Sequence, residues 1–208
     1  MKKKKGLTLP EIMVTVAVIG IIAVIAIPIL SERYRIGEIE SRLKKAYSTL
    51  NQAALNAQAV GEDWGQWSKI ANGTPNWSNT DDEFYFFNNY LKPYVSRLKV
   101  EKYWNSYVTA YLADGARLWL GKGGCIDIHV DINGDKGPDE YGVDIHIFNY
   151  CPDVLSNTYE TGKLIPYAQK HITTREQALE LCKSNNMQCA KLIMMEGWHI
   201  PKDYPYSI

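Results

Sequence analysis

The chain has 208 residues, with 23 basic and 23 acidic side chains, 46% apolar residues and 22% charged. This suits one core-forming domain plus an appendage, and the balanced charge offers no cationic surplus for gripping nucleic acid. The average conceals a very uneven distribution along the chain.

Four consecutive lysines, Lys2 to Lys5, precede Leu7 to Leu30, a run of 24 residues whose one ionisable side chain is Glu11. At ~1.5 Å rise per residue such a helix is about 36 Å long, enough to cross a hydrocarbon core of roughly 30 Å with some tilt. A secretory signal peptide would have a shorter apolar region followed by a small-residue cleavage site, whereas this run continues directly into SERYRIGEIESRLKKAYSTL. A signal anchor fits the length, with the lysines retained in the cytoplasm by the positive-inside rule and the rest outside. It leaves Glu11 unexplained, because an acidic residue in the middle of a spanning helix costs about 2.5–3.5 kcal/mol, less near an interface, and marks function by default.

The stretch Gly6-Leu7-Thr8-Leu9-Pro10-Glu11 resembles the class III signal of type IV pilins and type II secretion pseudopilins. The resemblance implies that a prepilin peptidase cuts between Gly6 and Leu7 and methylates the new amino terminus on Leu7, which stands where the family usually has phenylalanine. Gly20 and Pro28 stand where the family commonly has a helix-loosening glycine and a kinking proline. Glu11 would pair with the amino terminus of the adjacent subunit and set the axial register of a helical filament. Residues 1–6 are then a leader, 7–30 the transmembrane and filament-core helix, 31–60 the amphipathic half of the same helix, and 61–208 the head.

Ile36, Ile39, Leu43, Ala46, Leu50, Ala53 and Ala57 step by threes and fours, with Glu38, Arg42, Lys45 and Gln52 on the opposite face. One helix is expected from Leu7 to about Val60, bent or locally melted at Pro28. Gly61 to Pro93 is rich in Gly, Asn, Asp, Ser and Trp without a clean period, and reads as a connecting loop with a short helix from Asp82 to Leu91 capped by Asp81. Its tryptophans Trp64, Trp67 and Trp77 are read first as a lid on the core and second as a binding surface for sugar or protein.

The middle third alternates as β-structure. SYVTAYLADGARLWLG and CIDIHVDINGDKGPDEYGVDIHIFNYC each form two runs joined by a turn, giving a three- to four-stranded antiparallel meander over about 103–150. Ile126, Ile128 and Val130 share one face, with Asp127, His129 and Asp131 on the other. The fold class is α+β: a long N-terminal helix, half membrane anchor and half amphipathic, packed on a small antiparallel head, as the pilin resemblance also implies.

Asp131, Asn133, Asp135 and Asp139 are spaced like part of a calcium loop, but Lys136 and Gly142 occupy positions where an EF-hand needs glycine and a bidentate glutamate. A polar turn is the preferred reading. A cruder calcium site, known in the heads of some pseudopilins, is the other. His129 and His146 are read as near neighbours on facing strands and, lacking a third ligand, as part of a polar solvent face. No nucleophile elbow, phosphate loop or metalloprotease helix is present, so the chain is read as structural and not as an enzyme.

Cys125, Cys151, Cys182 and Cys189 all follow the apolar segment, an even count suited to an oxidising compartment. Of three pairings, Cys125–Cys151 follows if the second hairpin pairs in register, and Cys182–Cys189 then closes a small loop. Thr173 and Glu176 read as a capping box before QALELCKSN, followed by a second short helix and an extended, aromatic tail.

Loss of the leader removes four of the 23 basic side chains, leaving a net charge of about −4 on the mature chain. That charge argues against nucleic acid, and the pilin resemblance implies prepilin peptidase, identical and minor subunits and an inner-membrane assembly platform as partners. The functional expectation is a structural subunit of a type IV pilus-like or type II secretion pseudopilus filament. It would be held in the bacterial inner membrane with its head outside the cytoplasm, and then carried into a periplasmic pseudopilus or an extracellular pilus. The alternative is a minor pilin acting as an adhesin through the tryptophan loop, and a third reading is a calcium sensor.

Overall fold

The computed structural model describes residues 8–66, 80–103, 107–121 and 123–208. It divides into two compact units, one containing the helix up to Glu38 and one formed by Ile39–Ser207. Helix α1 runs Leu9–Ala59 without interruption. The local melting expected at Pro28 is absent. Proline removes one backbone donor, the one that would bond the Val24 carbonyl, and the helical turns on either side persist.

The two halves of α1 differ in what covers them. From Leu9 to Leu30 the apolar side chains are exposed around the helix, Leu9 at 72% and Val24 at 75%. From Ile39 onward one stripe, Ile39, Leu43, Ala46, Leu50, Ala53, Ala54 and Ala57, is buried. Each fully buried leucine in that stripe contributes about 1.5–3 kcal/mol over its exposed state.

The sheet is a six-stranded antiparallel meander in chain order: β1 (Lys99–Tyr103), β2 (Tyr107–Tyr111), β3 (Arg117–Gly121), β4 (Ile126–Asp131), β5 (Ile145–Tyr150) and β6 (Leu164–Pro166). It is therefore wider than the expected three to four strands and spans 99–166 instead of 103–150. The added edges carry weak signals, because β1 mixes lysine and glutamate with its apolar residues and β6 has only three residues. The β2–β3 connection turns at Gly115 (φ 88°), and Asp114 Oδ1 accepts the Ala116 amide.

Register fixes which side chains share a face. Ile128 pairs with Phe148, and Val130 with His146. Leu118, Leu120, Ile126, Ile128, Val130, His146, Phe148 and Tyr150 thus line the side that meets α1. Contacts across that layer include the Tyr47 and Phe148 rings, 5.3 Å apart, and the Tyr47 hydroxyl, which donates to the Leu164 carbonyl at 3.3 Å.

Helix α2 (Thr80–Phe86) continues as a π-helical turn, Phe87–Leu91. Asp81 lies within α2 and not at its cap, so the expected Asp82–Leu91 helix begins earlier and changes its hydrogen bonding midway. The Asn88 and Asn89 amides donate to the carbonyls of Phe84 and Tyr85 in that wider turn.

Two further helices, α3 (Arg175–Ser184) and α4 (Cys189–Met195), form a hairpin with its own small core of Ile172, Ala178, Cys182, Cys189 and Leu192. The capping box is one residue later than expected, Thr174 with Gln177. Thr174 Oγ1 accepts the Gln177 amide, and Gln177 Oε1 accepts the Thr174 amide. Both spacings satisfy the motif, and burial of Ala178 and Cys182 accompanies the register observed. The structure joins Cys125 to Cys151 and Cys182 to Cys189.

Candidate functional site

Two regions carry residues that packing alone does not account for: the exposed half of α1 and the turn between β4 and β5. Within the first, Glu11 is exposed and its Oε2 accepts both the backbone amide and the hydroxyl of Thr8, each at 2.7 Å. Thr8 and Glu11 thus stand as N-cap and N3 of a capping arrangement that satisfies an otherwise orphan donor at the helix start. The spacing Thr-x-x-Glu was present in the sequence, masked by the processing signal that overlaps it. A Cβ at Gly20 would meet nothing within 4 Å, so no neighbour among the described residues requires glycine there. Pro28 lies inside the helix, and Gly6 and Leu7 lie outside the described residues.

The helix is long and apolar enough to cross a membrane. Its apolar side chains, exposed on every side, need lipid or other helices around them, since water would solvate them poorly.

In the β4–β5 turn the structure brings together Asp131, Asp139 and Asp144, whose carboxylate oxygens lie within 4.8 Å of one another. Arg117 sits among them. Its Nη2 donates to Asp131 Oδ2 at 2.6 Å and to Asp139 Oδ1 at 3.0 Å, and its Nη1 lies 3.5 Å from Asp135. Asp131 Oδ1 also accepts the Asn133 and Gly134 amides. Asp144 accepts the Asp139 and Glu140 amides and the Asn133 side chain.

Of the four sequence-level calcium candidates, Asp131 and Asp139 are therefore in the cluster, Asn133 buttresses Asp144, and Asp135 is at its exposed rim. Arg117 and Asp144 complete it. Arg117 is the cross-strand partner of Asp131, a relation invisible without the register. The fit of a cation is limited by this donor set, because the Arg117 guanidinium already occupies Asp131 Oδ2 and Asp139 Oδ1 and amides occupy both Asp144 oxygens. Burial still pushes the Asp131 carboxyl up to about 6, against the opposing pull of Arg117. The turn is tight: a Cβ on Gly134 would collide with the Gly115 carbonyl of the β2–β3 turn.

His129 and His146 depart from the expected shared solvent face. His129 pairs across the ladder with Ile147, and His146 with Val130, so the two rings lie on opposite faces of the sheet. Neither is on a solvent face. His129 is 9% exposed, stacked on Trp119 at 5.2 Å with Nδ1 2.9 Å from the Tyr141 hydroxyl. His146 is 1% exposed, and among the described residues neither ring nitrogen makes a well-formed hydrogen bond, although the Val143 backbone lies close enough to favour the charged ring. Burial lowers each imidazole to about 4, so both are neutral at pH 7.

Asp127, on the His129 face, pairs with Asn149. Burial pushes its carboxyl up to about 7.

Trp64 is fully buried, packs against Phe86 and Tyr150, and donates from Nε1 to the Tyr90 carbonyl at 3.0 Å. It belongs to the core, as the lid reading has it, and offers no surface to a sugar. Trp67 and Trp77 lie outside the described residues.

Residues 1–27 match the prokaryotic N-terminal methylation motif, so the chain begins with a type IV pilin-like prepilin signal. No curated protein and no solved structure matches the chain. The region that forms the end of the anchor, the sheet and the C-terminal hairpin, residues 29–208, matches the family of unknown function DUF6613, and the chain belongs to that family.

Proposed function

We propose that this chain is a structural subunit, a pilin or pseudopilin, of a type IV pilus-like or type II secretion pseudopilus filament. The observation that carries the reading is the methylation motif at residues 1–27 leading into a single helix whose first half exposes apolar side chains on all sides. Processing between Gly6 and Leu7 removes the lysine-rich leader. The head resides outside the cytoplasm, in accord with two disulfides.

Assembly moves the apolar helix from lipid into a bundle of like helices, so the same surface is covered in both states. Glu11 then exchanges its Thr8 contacts for the methylated amino terminus of a neighbouring subunit. Gly20, which no contact among the described residues requires, leaves room for close helix approach there. The subunit's partners are prepilin peptidase, further pilin-like subunits and an inner-membrane platform. In the head, the Arg117 bridge supports the polar-turn reading over calcium, since its guanidinium already occupies an oxygen of Asp131 and one of Asp139.

Intact mass and N-terminal sequencing of the protein from membranes of cells carrying a prepilin peptidase test the reading. A chain starting at Leu7 with one added methyl group supports it. A chain retaining Lys2 to Gly6 reduces the anchor to an ordinary signal anchor and removes the case for a filament.

A further inference from the structure

The apolar face of α1 ends at Leu30, and the next turn carries Ser31, Glu32, Arg33, Tyr34 and Arg35, all exposed. Tyr34 is 75% exposed. From Leu9 to Leu30 the helix advances about 32 Å, close to the thickness of a hydrocarbon core, so the Arg-Tyr-Arg turn falls at the far headgroup level when the segment spans.

Glu32 and Arg35 are three residues apart, a spacing that favours a helical ion pair. Among the described residues neither Arg33 nor Arg35 forms one. Both guanidinium groups thus remain available, on a turn whose middle residue is an aromatic of the kind that collects at membrane interfaces.

Side chains on a helix lean toward its N-terminus, which here is the membrane side. Arginines placed one to two turns beyond the apolar end therefore reach back toward the phosphate layer, where a planar guanidinium makes paired hydrogen bonds to phosphate oxygens. The positive-inside rule disfavours cations on this side of the membrane. Two arginines kept there call for a local partner, and the chemistry on the page fits an anion at headgroup depth.

We propose that Arg33 and Arg35 bind lipid phosphates of the outer leaflet, with Tyr34 seated between them at the interface, and that this contact fixes how far α1 stands out of the membrane before its head-packed half begins. The proposal rests on the membrane-anchor reading. In a filament the same arginines must leave those phosphates, so the contact holds the stored subunit and opposes its extraction.

The test uses the full chain with isotope-labelled arginine, reconstituted in phosphatidylethanolamine and phosphatidylglycerol vesicles in phosphate-free buffer. Solid-state dipolar recoupling between guanidinium carbon and lipid phosphorus reads contact directly. The expected result is strong dephasing in the native chain and loss of most of it in the double variant R33Q/R35Q, with both proteins resistant to alkaline extraction. An inserted chain with no dephasing, or with dephasing that the double variant leaves intact, overturns the proposal alone. A chain that alkaline carbonate strips from the vesicles overturns the anchor reading together with it.

Discussion

His129 and His146, one register position apart on neighbouring strands, lie on opposite faces of the sheet, and each is buried and neutral. Among the described residues neither ring nitrogen of His146 makes a well-formed hydrogen bond. Its folded form resists protonation down to about pH 4, while the unfolded chain takes up the proton near pH 6.5. Stability contributed by the neutral ring is therefore present above pH 6.5 and lost as pH falls toward 4, by roughly 3 kcal/mol. His146→Leu should flatten that acid limb and gain about 1 kcal/mol at pH 7 by removing unsatisfied buried nitrogens. Urea unfolding in detergent at pH 7 and pH 4.5 measures both, and an unchanged acid slope would exclude His146 as its source.

Asp127 acts in the opposite direction. Burial raises its carboxyl to about 7, so the folded state holds the proton where the unfolded state, near 3.9, has released it. Stability is highest below pH 4 and is lost as pH rises through 7. Asp127→Asn should therefore stabilise by about 4 kcal/mol at pH 8 and leave stability at pH 4 nearly unchanged. Equal effects at both pH values would mean that charge burial is not what Asp127 costs the fold.

Arg117 neutralises a carboxylate, Asp131, that is fully buried. Removing the guanidinium leaves that charge uncompensated, and Arg117→Met should cost about 3 kcal/mol. Calcium tells the two readings of the turn apart. With Arg117 in place, millimolar calcium should leave the melting temperature unmoved, whereas in Arg117→Met calcium can enter among Asp131, Asp139 and Asp144 and restore part of the loss. A rise of several degrees in the native protein would instead make the cluster a calcium site.

The two disulfides should contribute unequally. Cys125–Cys151 spans 26 residues and Cys182–Cys189 spans 7. Loop-closure entropy gives about 3.5 kcal/mol for the first and about 2.4 kcal/mol for the second. Paired serine variants compared by urea unfolding should differ in that order. The reverse order would show that the small α3–α4 core depends on its staple more than chain entropy allows.

The legibility of this molecule in its sequence follows the range of the interaction concerned. The helix, its buried stripe from Ile39 to Ala57 and the central strands are local-pattern features, and period alone exposes them, whereas the core placement of Trp64 follows from the size of its ring and not from period. The arrangement of His129 and His146 needs the strand register, since moving one partner by one residue moves a side chain through the sheet. Arg117 is not legible beside the aspartates it bridges because it belongs to a different hairpin, and only the β3–β4 pairing unites them. Edge strands β1 and β6 gave little signal because neither has a long alternating run.

Glu40 ties the C-terminal tail to α1. Its Oε1 accepts the Ile200 amide at 2.8 Å, and its Oε2 lies 3.1 Å from His199 Nδ1. Next to them Trp198 packs on Tyr47 at 4.8 Å, so a polar clip and an aromatic contact hold the same stretch of tail. Glu40→Ala removes the acceptor of a partly buried amide, a loss of about 1.4 kcal/mol or a tenfold rise in local opening. Hydrogen exchange at Ile200 should quicken by about that factor while amides in β4 and β5 keep their protection. Were β4 and β5 to speed up equally, the tail would open only with the whole head, and Glu40 would be one of its global supports instead of a local clip.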